Sequence, residues 1–197
     1  MIFQYRYEFD VKKIQKKIKF KKLKILDFGC GIGNWSTSNI NSNTIKQITL
    51  YDIDKNLEKF LRNKYLDKKV NINFNYKKII SRKDYNIIIF SSVIQYIPMK
   101  KLYKIVGDLV KNKKITIVFI DIPYLPRLLE FFLLPFLNIK RFLFTLRLLF
   151  SKKYKQMNYF YYQKKDFLIF KRRFKLKFIR NLHDIKYLRY SLIMQSK

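Results

Sequence analysis

The chain has 197 residues, which is enough for one α/β domain and too few for two of ordinary size. Apolar residues make up 49%, so a sizeable core can form, and the single cysteine excludes both an internal disulfide framework and a paired-cysteine zinc site. The formal net charge of +31 indicates either a polyanionic partner or an AT-rich genome that fills solvated positions with lysine, and the sequence leaves both interpretations open.

Strand-like and helix-like segments alternate from about residue 23 to about residue 120. Short apolar runs predict four strands, at residues 24–28, 47–51, 85–90 and 115–120, and alternation of polar and apolar residues predicts another at residues 70–74. Helical spacing predicts a leading basic helix at residues 1–20 and further helices at residues 35–40, 55–65 and 98–110. Asp54 is the predicted N-cap of the helix at residues 55–65. Such alternation implies right-handed βαβ units around a parallel sheet.

The C-terminal third has a different pattern. Residues 126–150 are apolar on most sides of a helix that Pro135 interrupts. A helix at residues 164–170 and strands at 176–179 and 188–194 follow, and we expect this last strand pair to close the sheet. We therefore predict a single domain over residues 1–197: a Rossmann-like three-layer α/β sandwich with a mostly parallel twisted sheet and an antiparallel C-terminal strand.

The turn after the first strand has glycine at every second position, in the order Asp27-Phe28-Gly29-Cys30-Gly31-Ile32-Gly33. A glycine-rich turn that opens a helix at the carboxyl edge of a parallel sheet commonly binds a nucleotide. Dinucleotide loops space their glycines as G-x-G-x-x-G, whereas Asn34 occupies the third glycine position here. Asp27 would attract a ligand ammonium group and repel a pyrophosphate, so the loop favours S-adenosylmethionine (SAM), which carries a sulfonium and an ammonium group but no phosphate.

The second predicted strand ends in Tyr51-Asp52-Ile53-Asp54. Asp52 lies about twenty residues past the glycines, where a carboxylate accepts hydrogen bonds from both ribose hydroxyls of a nucleoside. Ile53 would then offer an apolar surface to the adenine. We interpret Asp54 as a helix cap and Asp52 as a ligand-binding residue.

Three segments together resemble successive motifs of class I SAM-dependent methyltransferases, most closely the small-molecule branch called methyltransferase type 11 or 12. They are Ile-Leu-Asp-Phe-Gly-Cys-Gly-Ile-Gly, Tyr-Asp-Ile-Asp and Tyr-Asn-Ile-Ile-Ile-Phe-Ser-Ser-Val-Ile-Gln-Tyr-Ile-Pro, and their order and spacing match over residues 23–123. The resemblance implies SAM as the cofactor, with Asp27, Gly29, Gly31 and Gly33 at its methionine end, Asp52 at the ribose, and Ser91 and Ser92 beside the sulfonium.

The sequence departs from the family pattern at two places. Asn75 and Tyr76 stand where many relatives have an acidic residue for the adenine amino group; we expect a hydrogen bond from the first and stacking from the second. Tyr96 stands where many relatives have histidine, and it is our candidate for a substrate-facing catalytic group, with packing as the alternative. His183 and Cys30 are interpreted as structural, and we expect no metal.

The acceptor is less well indicated. We expect methylation of a small molecule or of a glycan or lipid precursor, at oxygen by family precedent; an RNA methyltransferase and a non-catalytic SAM-binding protein are the alternatives. A helical insertion at about residues 125–155 would form a substrate lid, a contact with an anionic membrane or a dimer interface. We expect a cytoplasmic protein without a membrane-spanning helix, with peripheral attachment to the inner membrane face left open.

Overall fold

A computed structural model describes residues 22–33, 45–82, 84–110, 114–124, 159–180 and 189–197, and single positions within 132–143. The predicted helices at residues 1–20 and 35–40, His183 and most of the predicted insertion lie outside these residues. Within the described part, no helix is both long and apolar enough to cross a bilayer.

Seven strands form one sheet in the order β3-β2-β1-β4-β5-β7-β6. Their bounds are β1 Leu23–Phe28, β2 Ile45–Tyr51, β3 Val70–Ile72, β4 Ile87–Ser91, β5 Thr116–Pro123, β6 Phe174–Arg180 and β7 Arg189–Ser196. Strands β1 to β5 pair in parallel, and β7 pairs antiparallel with both β5 and β6. The fold class predicted from the sequence is therefore confirmed, and both C-terminal strands close the sheet as expected.

Three α-helices are described: α1 Leu57–Lys64, α2 Tyr76–Ser81 and α3 Met99–Val110. The inward stripe of α3 is buried, because its apolar residues recur at helical spacing: Leu102, Ile105, Val106 and Leu109. Residues 94–96 and 164–170 form 3₁₀ helices.

Two local predictions were wrong. Helix α1 begins later than residue 55 and has Asn56, not Asp54, at its N-cap position. Asp54 instead accepts a hydrogen bond from the Asn56 backbone N–H at 3.2 Å, a local turn that competes with the helical cap. Helix α2 was not predicted at all, since six residues with one buried side chain, Ile79, carry almost no periodic signal.

The two faces of the sheet carry separate apolar layers, because successive strand residues point to opposite faces. One layer holds Phe28, Phe90 and Phe119 and packs against α3 and the 3₁₀ helix at residues 164–170. The other holds Ile25, Ile48 and Ile89 and packs against α1 through Leu61. This three-layer arrangement fixes the carboxyl ends of the parallel strands at one edge.

Candidate active site at the carboxyl edge of the sheet

The strand order reverses between β1 and β4. From β1 the chain moves outward to β2 and β3, then returns to the other side of β1 to form β4 and β5. Crevices at such reversals, outside the carboxyl ends of the strands, are the usual ligand sites of open α/β sheets. The glycine loop (residues 27–33) and the segment from Ser91 to Tyr96 both leave the sheet here.

The glycine loop is bound to β2 through its backbone. The N–H groups of Gly29 and Cys30 both donate to the Tyr51 carbonyl, at 2.8 and 3.0 Å, and the Gly33 N–H donates to the Cys30 carbonyl at 2.9 Å. These three bonds join main-chain groups, so they do not depend on the identity of the loop's non-glycine side chains.

The three loop glycines are required for different reasons. A Cβ on Gly29 would overlap the Val93 side chain, and one on Gly33 would lie 2.5 Å from the Tyr65 hydroxyl oxygen. A Cβ on Gly31 would meet nothing within 4 Å, but its φ of +53° lies in the left-handed region that favours glycine. Of the three loop glycines, only Gly31 thus has open space on its Cβ side among the described atoms.

Asp52 follows β2 and is bound to the loop. Its Oδ2 accepts from the Gly31 N–H at 2.8 Å, and its Oδ1 accepts from the Asp54 N–H at 3.0 Å. The carboxylate is half-buried, whereas the neighbouring Ile53 is 80% exposed. The structure thus brings together the predicted ribose residue, the central glycine and an exposed apolar side chain.

Asp27 and Ser91 lie at the carboxyl ends of the two strands that flank the reversal. Asp27 is 1% exposed. Strand alternation places both residues on the face that Ile25 and Ile89 occupy. The Ser91 hydroxyl oxygen is buried and has no hydrogen-bond partner among the described residues, which is unusual for a polar atom and typical of a position that meets a ligand.

Asn75 and Tyr76 both have intramolecular partners. The Asn75 side-chain oxygen caps α2 by accepting from the Lys78 N–H at 3.2 Å. The Tyr76 hydroxyl donates to Asp108 at 3.1 Å. Burial is the main cause that raises the pKa of Tyr76, and this hydrogen bond raises it further. Whether either residue also faces an adenine stays a prediction.

The Cys30 thiol is a poor nucleophile in this environment. Burial is the main cause that raises its pKa, and the nearby carboxylates of Asp27 and Asp52 raise it further. The packing role that the sequence favoured for Cys30 agrees with these surroundings. No group of three potential metal ligands occurs among the described residues.

On the other side of the reversal, a polar cluster connects β4, β5 and β7. We call it the Asp121 cluster; its members are Ser92, Asp121, Tyr159 and Arg189. Asp121 accepts from the Ser92 hydroxyl at 2.8 Å and from Arg189 Nη1 at 3.1 Å, and Arg189 Nη2 donates to the Tyr159 hydroxyl at 2.7 Å. The Arg189 and Asp121 side chains are 10% and 5% exposed, so this ion pair is buried.

The backbone is strained at this cluster. Ser92 and Asp121 have φ values of 53° and 66°, in the left-handed region that side-chain-bearing residues rarely adopt. Such strain occurs preferentially at functional sites, where surrounding bonds maintain it. The Tyr96 ring, with 37% of the residue exposed, lies edge-on to Tyr159 with ring centroids 6.2 Å apart.

Sequence reasoning missed most of this cluster. Asp121 and Arg189 are 68 residues apart, and no local pattern links them. The signal available was weak: a basic residue opening the last strand, and an isolated aspartate inside an otherwise apolar strand.

The comparisons with known proteins agree with this geometry. The model of the methyltransferase small domain family matches residues 9–112, and the chain belongs to that family. It is thus a class I SAM-dependent methyltransferase, and SAM is its cofactor. Among proteins of curated function, no sequence matches the chain.

Three solved structures illustrate the shared fold. Magnesium protoporphyrin IX methyltransferase from Synechocystis PCC 6803, solved with bound SAH, is 12% identical with a TM-score of 0.63, over 99% of this chain and 84% of that one. The methyltransferase domain of bacterial CtHen1 is 13% identical with a TM-score of 0.65, over 98% of both chains. The N-methyltransferase NodS from Bradyrhizobium japonicum WM9 is 9% identical with a TM-score of 0.64, over 98% and 96%. At these identities the likeness establishes the fold alone.

The residues present fit SAM. The open Cβ side of Gly31 provides room for close approach, and the buried Ser91 hydroxyl provides a polar group to meet a ligand. Asp27 and Asp52 place two carboxylates near the same loop, which suits the ammonium group and the ribose hydroxyls of SAM better than a pyrophosphate.

Proposed function

We propose that the chain holds SAM across the β1–β4 reversal and transfers its methyl group to a small-molecule acceptor, or to a glycan or lipid precursor, at an oxygen atom. Asp27 lies opposite the ammonium group, Gly29, Gly31 and Gly33 line the methionine end, and Asp52 accepts from the ribose hydroxyls. Ile53 covers one face of the adenine, Asn75 and Tyr76 border its edge, and Ser91 lies beside the sulfonium. The observation that carries this assignment is the bond from the Gly31 N–H to Asp52, which fixes loop and carboxylate in one geometry.

When bound, SAM supplies a methyl group on a sulfonium, an excellent leaving group, and a nucleophilic oxygen that attacks in line takes the methyl as the carbon–sulfur bond breaks. The protein's task is therefore mostly to position the acceptor. A base is needed only where the acceptor must lose its proton. Tyr96 is partly exposed and ends the 3₁₀ helix that follows β4, and we assign its hydroxyl to contact the acceptor.

The surroundings of Tyr96 support a small acceptor. Its ring packs edge-on against the ring of Tyr159. Arg189 donates a hydrogen bond to the Tyr159 hydroxyl, which holds that second ring in place. Aromatic walls with a few oriented polar groups are typical of small-molecule sites.

A nucleic-acid acceptor is the second candidate, and one groove favours it. The groove has a volume of 850 Å³ and lies between α1, β3 and α2. Its lining includes four cations, one carboxylate that pairs with Arg62, one phenylalanine and the two residues assigned above to the adenine: Lys55, Arg62, Lys77, Lys78, Glu58, Phe74, Asn75 and Tyr76. Cations flanking an aromatic ring are what a single strand of RNA requires. This groove and the net charge of +31 are the observations that support RNA.

An experiment with methyl-labelled SAM separates the two candidates. The purified chain is incubated with labelled SAM and a cell extract, which is then divided into an organic-soluble fraction, small water-soluble molecules and macromolecules, with and without ribonuclease. We expect label in one of the first two fractions, and mass spectrometry of that product identifies the methylated atom. Label in a macromolecular fraction that ribonuclease releases would contradict the small-acceptor proposal and favour RNA.

A further inference from the structure

The carbonyl side of the glycine loop is held by a residue outside every recognised motif. Tyr65 directly follows α1, and its hydroxyl donates to the Gly33 carbonyl at 2.6 Å, with the Ile32 carbonyl at 3.3 Å. Lys64 Nζ donates to the same Ile32 carbonyl at 2.9 Å. Two adjacent residues therefore bind the two carbonyl groups that end the loop.

Tyr65 is itself rigidly placed. The residue is 7% exposed and belongs to the apolar layer that contains Leu23, Ile25 and Ile48. Its backbone N–H donates to the Leu61 carbonyl at 2.9 Å, which ties it to the last turn of α1. A buried aromatic ring fixed at both its backbone and its hydroxyl cannot move without disturbing the core, so it transmits the position of α1 to the loop.

The fit between Tyr65 and Gly33 is close. A Cβ on Gly33 would lie 2.5 Å from the Tyr65 hydroxyl oxygen and 2.8 Å from its ring carbon Cε2. Position 33 therefore requires glycine, because the Tyr65 side chain occupies the space that a Cβ would need.

The loop is thus held from two sides. Its N–H groups are bound by the Tyr51 carbonyl and the Asp52 carboxylate, and its final carbonyls are bound by Tyr65 and Lys64. Every one of these partners comes from residues 51–65. The β2–α1 unit therefore sets the loop position before any ligand binds, which reduces the ordering cost of binding.

We propose that Tyr65, assisted by Lys64, is a positioning residue for SAM binding: it fixes the Ile32–Gly33 end of the loop so that Gly31 and Asp52 meet the cofactor in register. The inference rests on the proposed placement of SAM along this loop. Tyr65 acts through the loop backbone and does not itself contact the cofactor.

The test compares two tyrosine-to-phenylalanine variants. Tyr65→Phe keeps the ring and removes the hydroxyl that holds the loop. Tyr190→Phe is the matched control, because its equally buried hydroxyl donates to the Tyr162 carbonyl at 2.9 Å on the opposite side of the sheet. Each variant loses one buried tyrosine–carbonyl bond, so a merely structural role predicts similar losses in melting temperature and no difference in SAM affinity.

Calorimetric titration gives the SAM dissociation constant of each variant. We expect Tyr65→Phe to weaken SAM binding by about 3- to 10-fold, the worth of one hydrogen bond, with Tyr190→Phe unchanged. Hydrogen exchange of the peptide that contains the loop should rise in Tyr65→Phe without ligand and stay constant in the control. Equal SAM affinity in the two variants would overturn the proposal.

The failure of this inference and of the proposed SAM site are distinguishable. If the unaltered protein does not bind SAM, the proposed site fails; if it binds SAM and Tyr65→Phe binds equally well, only the role of Tyr65 fails. Should Tyr65→Phe not fold, Lys64→Met carries the same test, because Lys64 is exposed, with Lys59→Met on the same helix as its control. We expect weaker SAM binding in Lys64→Met alone, and equal affinity in both lysine variants would overturn the proposal.

Discussion

The two halves of the carboxyl edge are built by different means. On the β1–β2 side, the glycine loop makes its hydrogen bonds through its own main-chain groups, and the partners described above for these bonds outside the loop lie within residues 51–65. On the β4–β5–β7 side, the Asp121 cluster is held by side chains from distant parts of the sequence, with Arg189 and Asp121 68 residues apart. The first half presents the main-chain groups of a glycine-rich loop to its partners, and the second is formed by a few polar side chains.

Because of this difference, the two halves should respond differently to side-chain substitution. A loop held by backbone bonds keeps its shape when most of its side chains change, as suits a cofactor that every member of a family shares. A cluster held by side-chain bonds changes shape with single substitutions, as suits a site whose acceptor differs between relatives. If this account holds, substitutions in one half should leave the other half's ligand largely unaffected.

The strongest test of that separation is Arg189→Met. The substitution leaves the buried Asp121 carboxylate without its guanidinium, and breaking a buried pair in this way costs about 3–5 kcal/mol of unfolding free energy. We expect methyl transfer to fall as well, because Tyr159 loses the donor that orients it. The SAM dissociation constant of the fraction that remains folded should not change.

The double variant Arg189→Met/Asp121→Asn provides the control. Because it leaves no unpaired charge, urea unfolding should show a smaller loss of stability than in Arg189→Met alone. A rise in the SAM dissociation constant in either variant would show that the two halves are coupled and would contradict the comparison.

Within the cofactor half, Gly29→Ala should mainly reduce protein stability, whereas Gly31→Ala should mainly reduce SAM affinity. Gly29→Ala forces a Cβ into Val93 and should cost about 2–3 kcal/mol of stability through overpacking and backbone strain. Gly31→Ala has space for its Cβ among the described residues, so only the left-handed backbone is penalised, by about 1 kcal/mol. Because that Cβ would point into the proposed cofactor space, Gly31→Ala should nevertheless weaken SAM binding. Unfolding curves and SAM titrations of both variants check this, and a Gly31→Ala protein with full SAM affinity would be inconsistent with the proposed loop contact.

The smallest expected effect on stability comes from an ion pair at the opposite, amino-terminal edge of the sheet. The hydrogen bond from Arg82, together with one from Lys24, lowers the pKa of Asp84 to about 2. Because the folded pKa lies below the unfolded value, the stabilisation is present above about pH 4 and is lost as the pH falls toward 2. The Asp84 side chain is 38% exposed, so solvent screening limits the contribution to about 1 kcal/mol or less.

Asp84→Asn measures this contribution directly. The difference in unfolding free energy between the two proteins should be constant near neutrality and should vanish toward pH 2. SAM affinity should be identical, because Asp84 lies at the edge away from the site. A stability difference that persists at pH 2 would show that the ion pair is not its source.

The contrast between the two halves of the carboxyl edge also explains which parts of the fold and of the site the sequence predicted. Strands β1, β2, β4 and β5 were found to within a few residues, because their apolar runs are long and end at polar turn residues. Spacing along the chain singled out the glycine loop and Asp52, and the structure places Asp52 against Gly31, while their contacts with SAM stay a prediction.

What the sequence did not predict depends on contacts between distant residues. Tyr65 is one of many tyrosines in the chain, and only the fold shows that its hydroxyl meets Gly33. Arg189 is one of 44 basic residues, and only the pairing of β7 with β5 places it over Asp121. Side chains selected by tertiary contacts carry no local periodicity, so sequence reasoning identifies them only after the topology is known.

The most direct test of the account is a calorimetric titration of SAM into the unaltered protein and into Asp52→Ala, with Asp54→Ala as the neighbouring control. We predict saturable binding of SAM to the unaltered protein and to Asp54→Ala. Asp52→Ala should bind about 100-fold more weakly or worse, because it loses hydrogen bonds to a charged group that are worth about 1.5 kcal/mol each. Absence of binding by the unaltered protein at millimolar SAM, or equal affinity in Asp52→Ala, would contradict the account.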